Sequence, residues 1–219
     1  MVYNGTMKLT KYMHACIVLE EQGQRLVIDP GEWAADVNSL SNVAAIVITH
    51  NHFDHFNLKN VRAILQANPT AHIFTTAETA NELGGQATNI TPVTEGSTAQ
   101  AGLFSLQFFG QMHALVTQDK PVTQNVGILV NGNLYYPGDS FTLPNKAVKT
   151  LALPVSGPWL KTSESLDFMV AVKPQLAFPT HDALLSEAGI SVYEGLYKML
   201  AQANNITFEQ LRPGQSIEI

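Results

Sequence analysis

The stretch Ala44-Ala45-Ile46-Val47-Ile48-Thr49-His50-Asn51-His52-Phe53-Asp54-His55 runs from an unbroken apolar segment straight into three histidines and a carboxylate. The apolar part has the length and β-branched content of a buried strand. The polar part gathers nitrogen and oxygen donors into six positions, and neutral imidazole and carboxylate are preferred ligands of zinc and related divalent metals. In an extended chain His50 and His52 share a face, whereas the adjacent Asp54 and His55 must diverge. One converging pair followed by one diverging pair suits two neighbouring metal ions better than one. The chain holds only seven histidines and three of them fall here, so a solvated loop that merely happens to be rich in histidine is a poor account of the segment.

Upstream, apolar segments at 15–20 and 25–28 read as strands joined by the turn Glu21-Gln22-Gly23-Gln24. Asp29-Pro30-Gly31 stops the second strand abruptly and leaves Asp29 at its C-terminal end. Downstream, Asn57 is placed to cap a helix whose apolar face is Leu58, Val61, Ile64 and Leu65, with Pro69 just past its end. A strand at 71–75 and a short helix at 77–83, closed by Gly84-Gly85, follow.

From 89 to 137 the pattern is again β, with strands at 103–109, 126–130 and 134–136 and an Asn131-Gly132 hairpin turn. Strands at 150–154 and 175–179 flank a helix from 163 to about 172. A further helix covers about 184–203, and 215–219 could form a final strand. In each half of the chain hairpin strands come first and a strand–helix alternation second, with no low-complexity linker or short-period repeat between them. The expected architecture is α/β, with two sheets packed together and helices outside, in one domain spanning 1–219.

Bulk properties narrow the function. At 219 residues, sheet-rich chains often form one domain, and 45% hydrophobic residues supply a sizeable core. The formal charge is −6, with 12 lysines and arginines and no basic run. That argues against nucleic acid as a partner, since such binding needs clustered cations to displace counterions from phosphates. Cys16 is the sole cysteine, which forbids an intrachain disulfide and suits a reducing compartment. It lies in the apolar stretch 15–19, the setting of a buried thiol rather than a nucleophile. No signal-peptide pattern and no run approaching a membrane span is present, so a soluble, cytoplasmic protein with no membrane partner is expected.

Further ligand-type residues stand after other apolar runs. His113 follows 106–109, Asp139 follows Leu134-Tyr135-Tyr136-Pro137-Gly138, and His181 follows Leu176-Ala177-Phe178-Pro179-Thr180. Ligands at strand ends are held by a rigid sheet while the surrounding loops shape a pocket. The ordered set, His-x-His-x-Asp-His after a strand, then a lone His, an Asp in Gly-Asp-Ser and a last His, resembles the metallo-β-lactamase superfamily. The motifs reach from Asp29 to His181.

The resemblance implies a four-layer αββα sandwich of two mixed β-sheets with its site at one edge. It implies that His50, His52 and His113 hold one metal, that Asp54, His55 and His181 hold a second, and that Asp139 bridges them. Asp29 matches an early aspartate that supports the metal loop from outside. The context His14-Ala15-Cys16 looks like the branch containing ascorbate-6-phosphate lactonase and related metal-dependent hydrolases, although Met13 stands where that branch commonly has Gly. His14 is therefore a candidate for a near-site or proton-transfer role. Leu153-Pro154-Val155-Ser156-Gly157-Pro158-Trp159 resembles the same branch, with Gly157 and Trp159 as candidate pocket residues. Lys161 and Lys120 are the best-placed cations for an anionic substrate group. His72, inside an apolar strand, reads as structural.

Two divalent ions close together would hold a water whose pKa falls from about 16 towards about 7. Such a site hydrolyses a small-molecule lactone, ester or phosphoester with Asp54 and Asp139 as proton carriers, lactone or ester cleavage being preferred. A phosphodiesterase of the same fold and a non-catalytic metal-dependent sensor are the alternatives. Zinc has the strongest general prior, with manganese or iron open. The expected partner is a small-molecule substrate, and a homo-oligomer is left open.

Overall fold

Side chains alternate across a strand, and here the alternation assigns each residue to a layer. Ile17, Leu19, Leu26, Ile28, Ala45 and Val47 join one buried cluster, while their neighbours Cys16, Val18, Val27, Ile46 and Ile48 join another. The second half repeats this. Ile128, Val130, Leu134, Tyr136, Ala152 and Phe178 share the first cluster, and Leu129, Tyr135, Leu151, Leu153 and Ala177 belong to a third. Strands apolar on both faces must be covered on both faces. The first cluster is the seam between two sheets, and the other two lie beneath helices.

A computed structural model of the chain describes residues 5–86, 89–119 and 122–219. The first half comprises β1 (Lys8–Lys11), β2 (Ile17–Glu21), β3 (Gln24–Ile28), β4 (Val43–Ile48), α1 (Leu58–Ala67), β5 (His72–Thr75), α2 (Ala77–Leu83) and β6 (Ile90–Pro92). The second comprises β7 (Thr98–Ala101), β8 (Phe104–Phe109), β9 (Gly127–Val130), β10 (Leu134–Tyr136), β11 (Thr150–Pro154), α3 (Thr162–Val172), β12 (Leu176–Thr180), α4 (Glu187–Ala203), β13 (Thr207–Phe208) and β14 (Ser216–Glu218).

One seven-stranded sheet has the order β14-β1-β2-β3-β4-β5-β6 and the other β13-β12-β11-β10-β9-β8-β7. Each sheet is antiparallel on one side and parallel on the other, the switch falling at β3/β4 and at β10/β11. This is the expected αββα sandwich. The final strand pairs with β1, so the end of the chain closes the sheet of the first half.

Local chemistry sets the element ends. Asn57 accepts hydrogen bonds from the amides of Lys59 and Asn60 at 3.1 and 3.2 Å and starts α1, a cap worth about 1 kcal/mol. Ser186 caps α4 through the Gly189 amide at 3.1 Å, which is why that helix begins at Glu187 rather than near 184. Asn131 and Gly132 both take positive φ, 51° and 62°, as a tight hairpin turn demands. The strand β1 was not expected. Its sequence Lys-Leu-Thr-Lys carries a single apolar residue, yet Lys11 is fully buried.

Candidate metal centre

The expected ligands lie on four segments that follow strands at the same edge of the sandwich. His50 follows β4, Asp139 follows β10, His181 follows β12, and His113 lies past β8. Two cross-links hold the edge together. The Val126 amide donates to the Thr49 carbonyl at 3.1 Å, bridging the sheets, and the His181 amide donates to the His14 carbonyl at 3.0 Å.

The donor atoms fall into two groups, His50, His52, His113 and Asp139 in one and His14, Asp54, His55 and His181 in the other, each within 4.8 Å. Asp139 also reaches across. Its Oδ2 lies 3.3 Å from His113 Nε2 and 3.1 Å from His181 Nε2, while its Oδ1 lies 3.1 Å from His55 Nε2. It stands where the expected bridging carboxylate would. The converging pair is visible as well, with His50 Nε2 3.1 Å from His52 Nδ1.

Hydrogen bonding on the outer side of each ring defines the tautomer. His55 Nδ1 donates to Asp29 Oδ2 at 2.7 Å, His113 Nδ1 to the Ala114 carbonyl at 2.5 Å, and His181 Nδ1 to the Ser156 carbonyl at 2.6 Å. Thr49 Oγ1 donates to Asp29 Oδ2 at 2.7 Å, so it is an acceptor for His50 Nδ1 at 3.0 Å. The Nε2 atoms are thus left as inward lone pairs. Among the described residues, those of His55, His113 and His181, with Asp139 Oδ1, are buried without a well-aligned hydrogen bond. Lone pairs facing carboxylate oxygens require protons or cations between them, and the residues fit divalent metal ions.

The metal-free electrostatics show the same demand. Burial opposes charge on His55 and His181, but Asp139 and the other neighbouring carboxylates outweigh it and raise both, His181 to about 9. Burial likewise opposes the Asp139 carboxylate, and His55 and His181 hold it well below the usual range. His50 and His52 are pushed down by burial and by neighbouring histidines.

His14 differs. Its Nδ1 accepts from the Ala183 amide at 3.3 Å, which places its proton on Nε2, 3.1 Å from Asp54 Oδ2. Burial lowers its pKa to about 4 despite Asp54. Although within reach of the second group, neutral His14 is arranged to donate to Asp54 rather than to offer a lone pair. Burial opposes the charge on Asp54, but the His14 hydrogen bond and the neighbouring His181 and His55 rings outweigh it and hold the carboxyl well below the usual range.

The remaining candidates are distributed as follows. Gly157 (φ 153°) presses against His181, where an added Cβ would meet His181 Nδ1 at 3.1 Å and Trp159 Nε1 at 3.0 Å. It supports a ligand rather than opening a pocket. Trp159 is buried, edge-on to His113 and His181 at 5.7 and 6.0 Å and tilted against Phe141 at 5.3 Å, and so walls the centre from behind. Lys161 is exposed at the start of α3, its carbonyl accepting from the Glu164 amide. Lys120 lies outside the described residues. His72 bonds Thr91 Oγ1 at 2.7 Å, away from both groups.

Asn125 carried no signal in the sequence. Its Oδ1 accepts the Asp139 amide at 3.0 Å and its Nδ2 donates to the Pro137 carbonyl at 3.0 Å, clamping the turn that presents Asp139. A cleft of about 240 Å³ opens beside the first group, lined by His52, His113, Ala114, Val116, Thr117, Val122 and Thr123.

Residues 8–181 match the family model described as Beta-lactamase superfamily domain. Protein Rv0786c of Mycobacterium tuberculosis is 30% identical over 217 residues, covering 92% of this chain and 100% of the relative. A UPF0173 metal-dependent hydrolase of Aeropyrum pernix is 27% identical over 203 residues, covering 80% of this chain and 81% of the relative. Among solved structures, Igni18, a novel metallo hydrolase from Ignicoccus hospitalis, has the same fold with a TM-score of 0.76 at 20% identity, covering 98% of each chain.

Proposed function

The chain belongs to the metallo-β-lactamase superfamily, and from that premise we propose that it is a dinuclear metal-dependent hydrolase of small-molecule lactones or esters. One observation carries the reading: the buried Nε2 atoms of His55, His113 and His181 converge on the Asp139 carboxylate at 3.1–3.3 Å with no well-aligned hydrogen bond among the described residues, while the outer nitrogens of those rings are tied to protein oxygens. His50, His52, His113 and Asp139 would hold one ion, and Asp54, His55 and His181 with Asp139 the other. Divalent ions held there supply Lewis acidity and a water nucleophile with a pKa near about 7.

The protein's own groups do the rest. Asp139, buried between the two sets, supplies negative charge that offsets part of the cationic load. Asp54 is the more exposed carboxylate, its side chain 14% accessible against 3% for Asp139. Ionised and hydrogen-bonded through Oδ2 by His14, with His181 Nε2 3.4 Å away, it is placed to accept a proton and pass it to a leaving group. Trp159 and Phe141 exclude water from behind. No side-chain nucleophile is required. Cys16 is buried in the cluster beneath the helices, and burial pushes its thiol pKa well up.

The preference for a carboxylic ester over a phosphoester rests on charge. Among the described residues, those lining the cleft include no lysine or arginine, and the ion pairs of the centre run among its own side chains and to Asp29. The deciding experiment measures metal content in protein purified without added metal, alongside a panel of lactones, carboxylic esters and phosphodiesters. About two divalent ions per chain and turnover of lactones or esters are expected, with both lost in His113→Ala and Asp139→Ala. A metal-free protein, or turnover untouched by those substitutions, contradicts the proposal, and turnover confined to phosphodiesters replaces its substrate class.

A further inference from the structure

Large aromatic side chains are ordinarily withdrawn from water, and burying one gains roughly what a fully buried leucine does. Trp33 and Phe53 are 40% and 57% exposed, and both stand at the metal centre. Phe53 lies between His52 and Asp54 in the ligand segment itself. Trp33 meets the His14 ring edge-on at 4.9 Å and 89°, and Phe53 meets Trp33 edge-on at 5.5 Å and 89°. The three rings form a ladder from the second ligand group out to solvent.

The ladder is rigidly mounted. The Glu32 amide donates to the Phe53 carbonyl at 2.8 Å, and the Gly31 carbonyl accepts from Asn60 Nδ2 at 2.7 Å. A Cβ at Gly31 would fall 1.9 Å from the Asp54 carbonyl oxygen, so only glycine lets the turn bearing Trp33 lie on the segment bearing Phe53 and Asp54. The backbone that presents the ligands therefore also fixes the exposed rings. Met13 and Leu184, beside His14 and three residues past His181, are exposed as well, at 41% and 55%. Glu32 is the charged residue of the turn, and an acid there disfavours an anionic ligand. An exposed, immobilised apolar patch at the mouth of a polar centre marks a binding surface.

We infer that Trp33 and Phe53 form the recognition wall for an uncharged apolar group, an alkyl chain or aryl ring, on the ester or lactone that the centre cleaves. The inference rests on the hydrolase reading above. It assigns specificity to the side of the centre facing His14, distinct from the cleft lined by Thr117 and Thr123 beside the first group. Among the described residues, the ring contacts of Trp33 and Phe53 are with His14 and with each other, so the wall is expected to act on binding rather than on metal loading.

The test uses alkyl hydroxamates, which bind divalent metals through their polar head, titrated calorimetrically into the metal-loaded protein. Octanohydroxamate is expected to bind at least about tenfold more tightly than acetohydroxamate, the gain from burying about two methylenes. In Trp33→Ala and Phe53→Ser that ratio is expected to fall towards one. Metal content and circular dichroism report that each variant is folded, and Phe53 is too exposed for its loss to unfold the protein. A ratio near one in the unaltered protein, or one undiminished in both folded, metal-loaded variants, overturns the inference while leaving the hydrolase reading intact. A protein that takes up no metal overturns both.

Discussion

Asp29 Oδ2 accepts the Nδ1 proton of His55 at 2.7 Å, although Asp29 belongs to neither ligand group. The same oxygen accepts the Thr49 hydroxyl at 2.7 Å, and Oδ1 accepts the Thr49 amide at 2.7 Å. Through Thr49, the carboxylate also orients His50. One buried residue at the end of β3 thus sets ring orientation in both groups. Asp29→Ala is expected to weaken metal binding by about 10–100-fold while keeping the two-sheet fold. Competition with a chromogenic chelator reads the affinity, and an unchanged value would show that Thr49 alone suffices.

The pH dependence of the metal-free protein follows from His181. Its pKa is raised to about 9 in the folded state, against about 6.5 for an ordinary histidine. Below pH about 6.5 both folded and unfolded chains are protonated here, and the contribution to stability is complete. Between about 6.5 and 9 the unfolded chain releases its proton first, so the contribution is lost as pH rises. The thermal midpoint of chelator-treated protein is expected to fall by several degrees across that interval, and less steeply in His181→Asn. A midpoint rising over the same range would refute the assignment. Bound metal replaces the proton, so calorimetric metal titration in two buffers of different ionisation enthalpy should show proton release.

Much of the fold and most of the ligand set can be read in the sequence, because both depend on where apolar runs stop. Ile48, Tyr136 and Thr180 each end a strand just before a ligand or its turn, so the strand pattern predicts the edge at which the ligands meet. What escapes are residues whose environment contradicts their type. Lys11 lies in a polar tetrapeptide and is fully buried, which hid β1. Trp33 and Phe53 look like core residues and face water. Asn125 acts through backbone groups of residues 137 and 139, a contact without a sequence pattern. His14 could be placed near the centre only by family resemblance. Its role as a donor to Asp54 depends on the Ala183 amide, reached across 169 positions.

Glu78 governs the wall of the cleft from outside it. Its Oε2 lies 2.6 Å from Thr123 Oγ1 and accepts the Gln124 amide at 2.7 Å. The Thr123 carbonyl in turn accepts the His113 amide at 3.0 Å. The contacts are exposed, so their contribution to global stability is at most about 1 kcal/mol. Their effect is local. Glu78→Ala is expected to speed amide exchange at residues 122–125 by about tenfold and to raise KM more than it lowers kcat. Equal loss in both constants would instead indicate that His113 itself has moved.

Lys11 and Asp182 form a deeply buried salt bridge between side chains of opposite fixed charge. Nζ lies 2.5 Å from Asp182 Oδ2 and donates to the Leu211 carbonyl at 3.2 Å. Burial lowers the lysine pKa, while Asp182 opposes that shift. The pair ties β1, the segment after β12 and the C-terminal region together one residue from His181. Removing only the cation strands a carboxylate in a nearly dry environment, at a cost of roughly 3–5 kcal/mol. Lys11→Met should therefore lower the urea midpoint sharply. Combining it with Asp182→Asn removes the stranded charge and should recover most of the loss. If the double variant is as unstable as the single, the lysine acts through its packed aliphatic stem rather than its charge. If the double variant regains stability but binds metal more weakly, the pair has a second role in holding the His181 turn, which carries a strained positive φ of 62°.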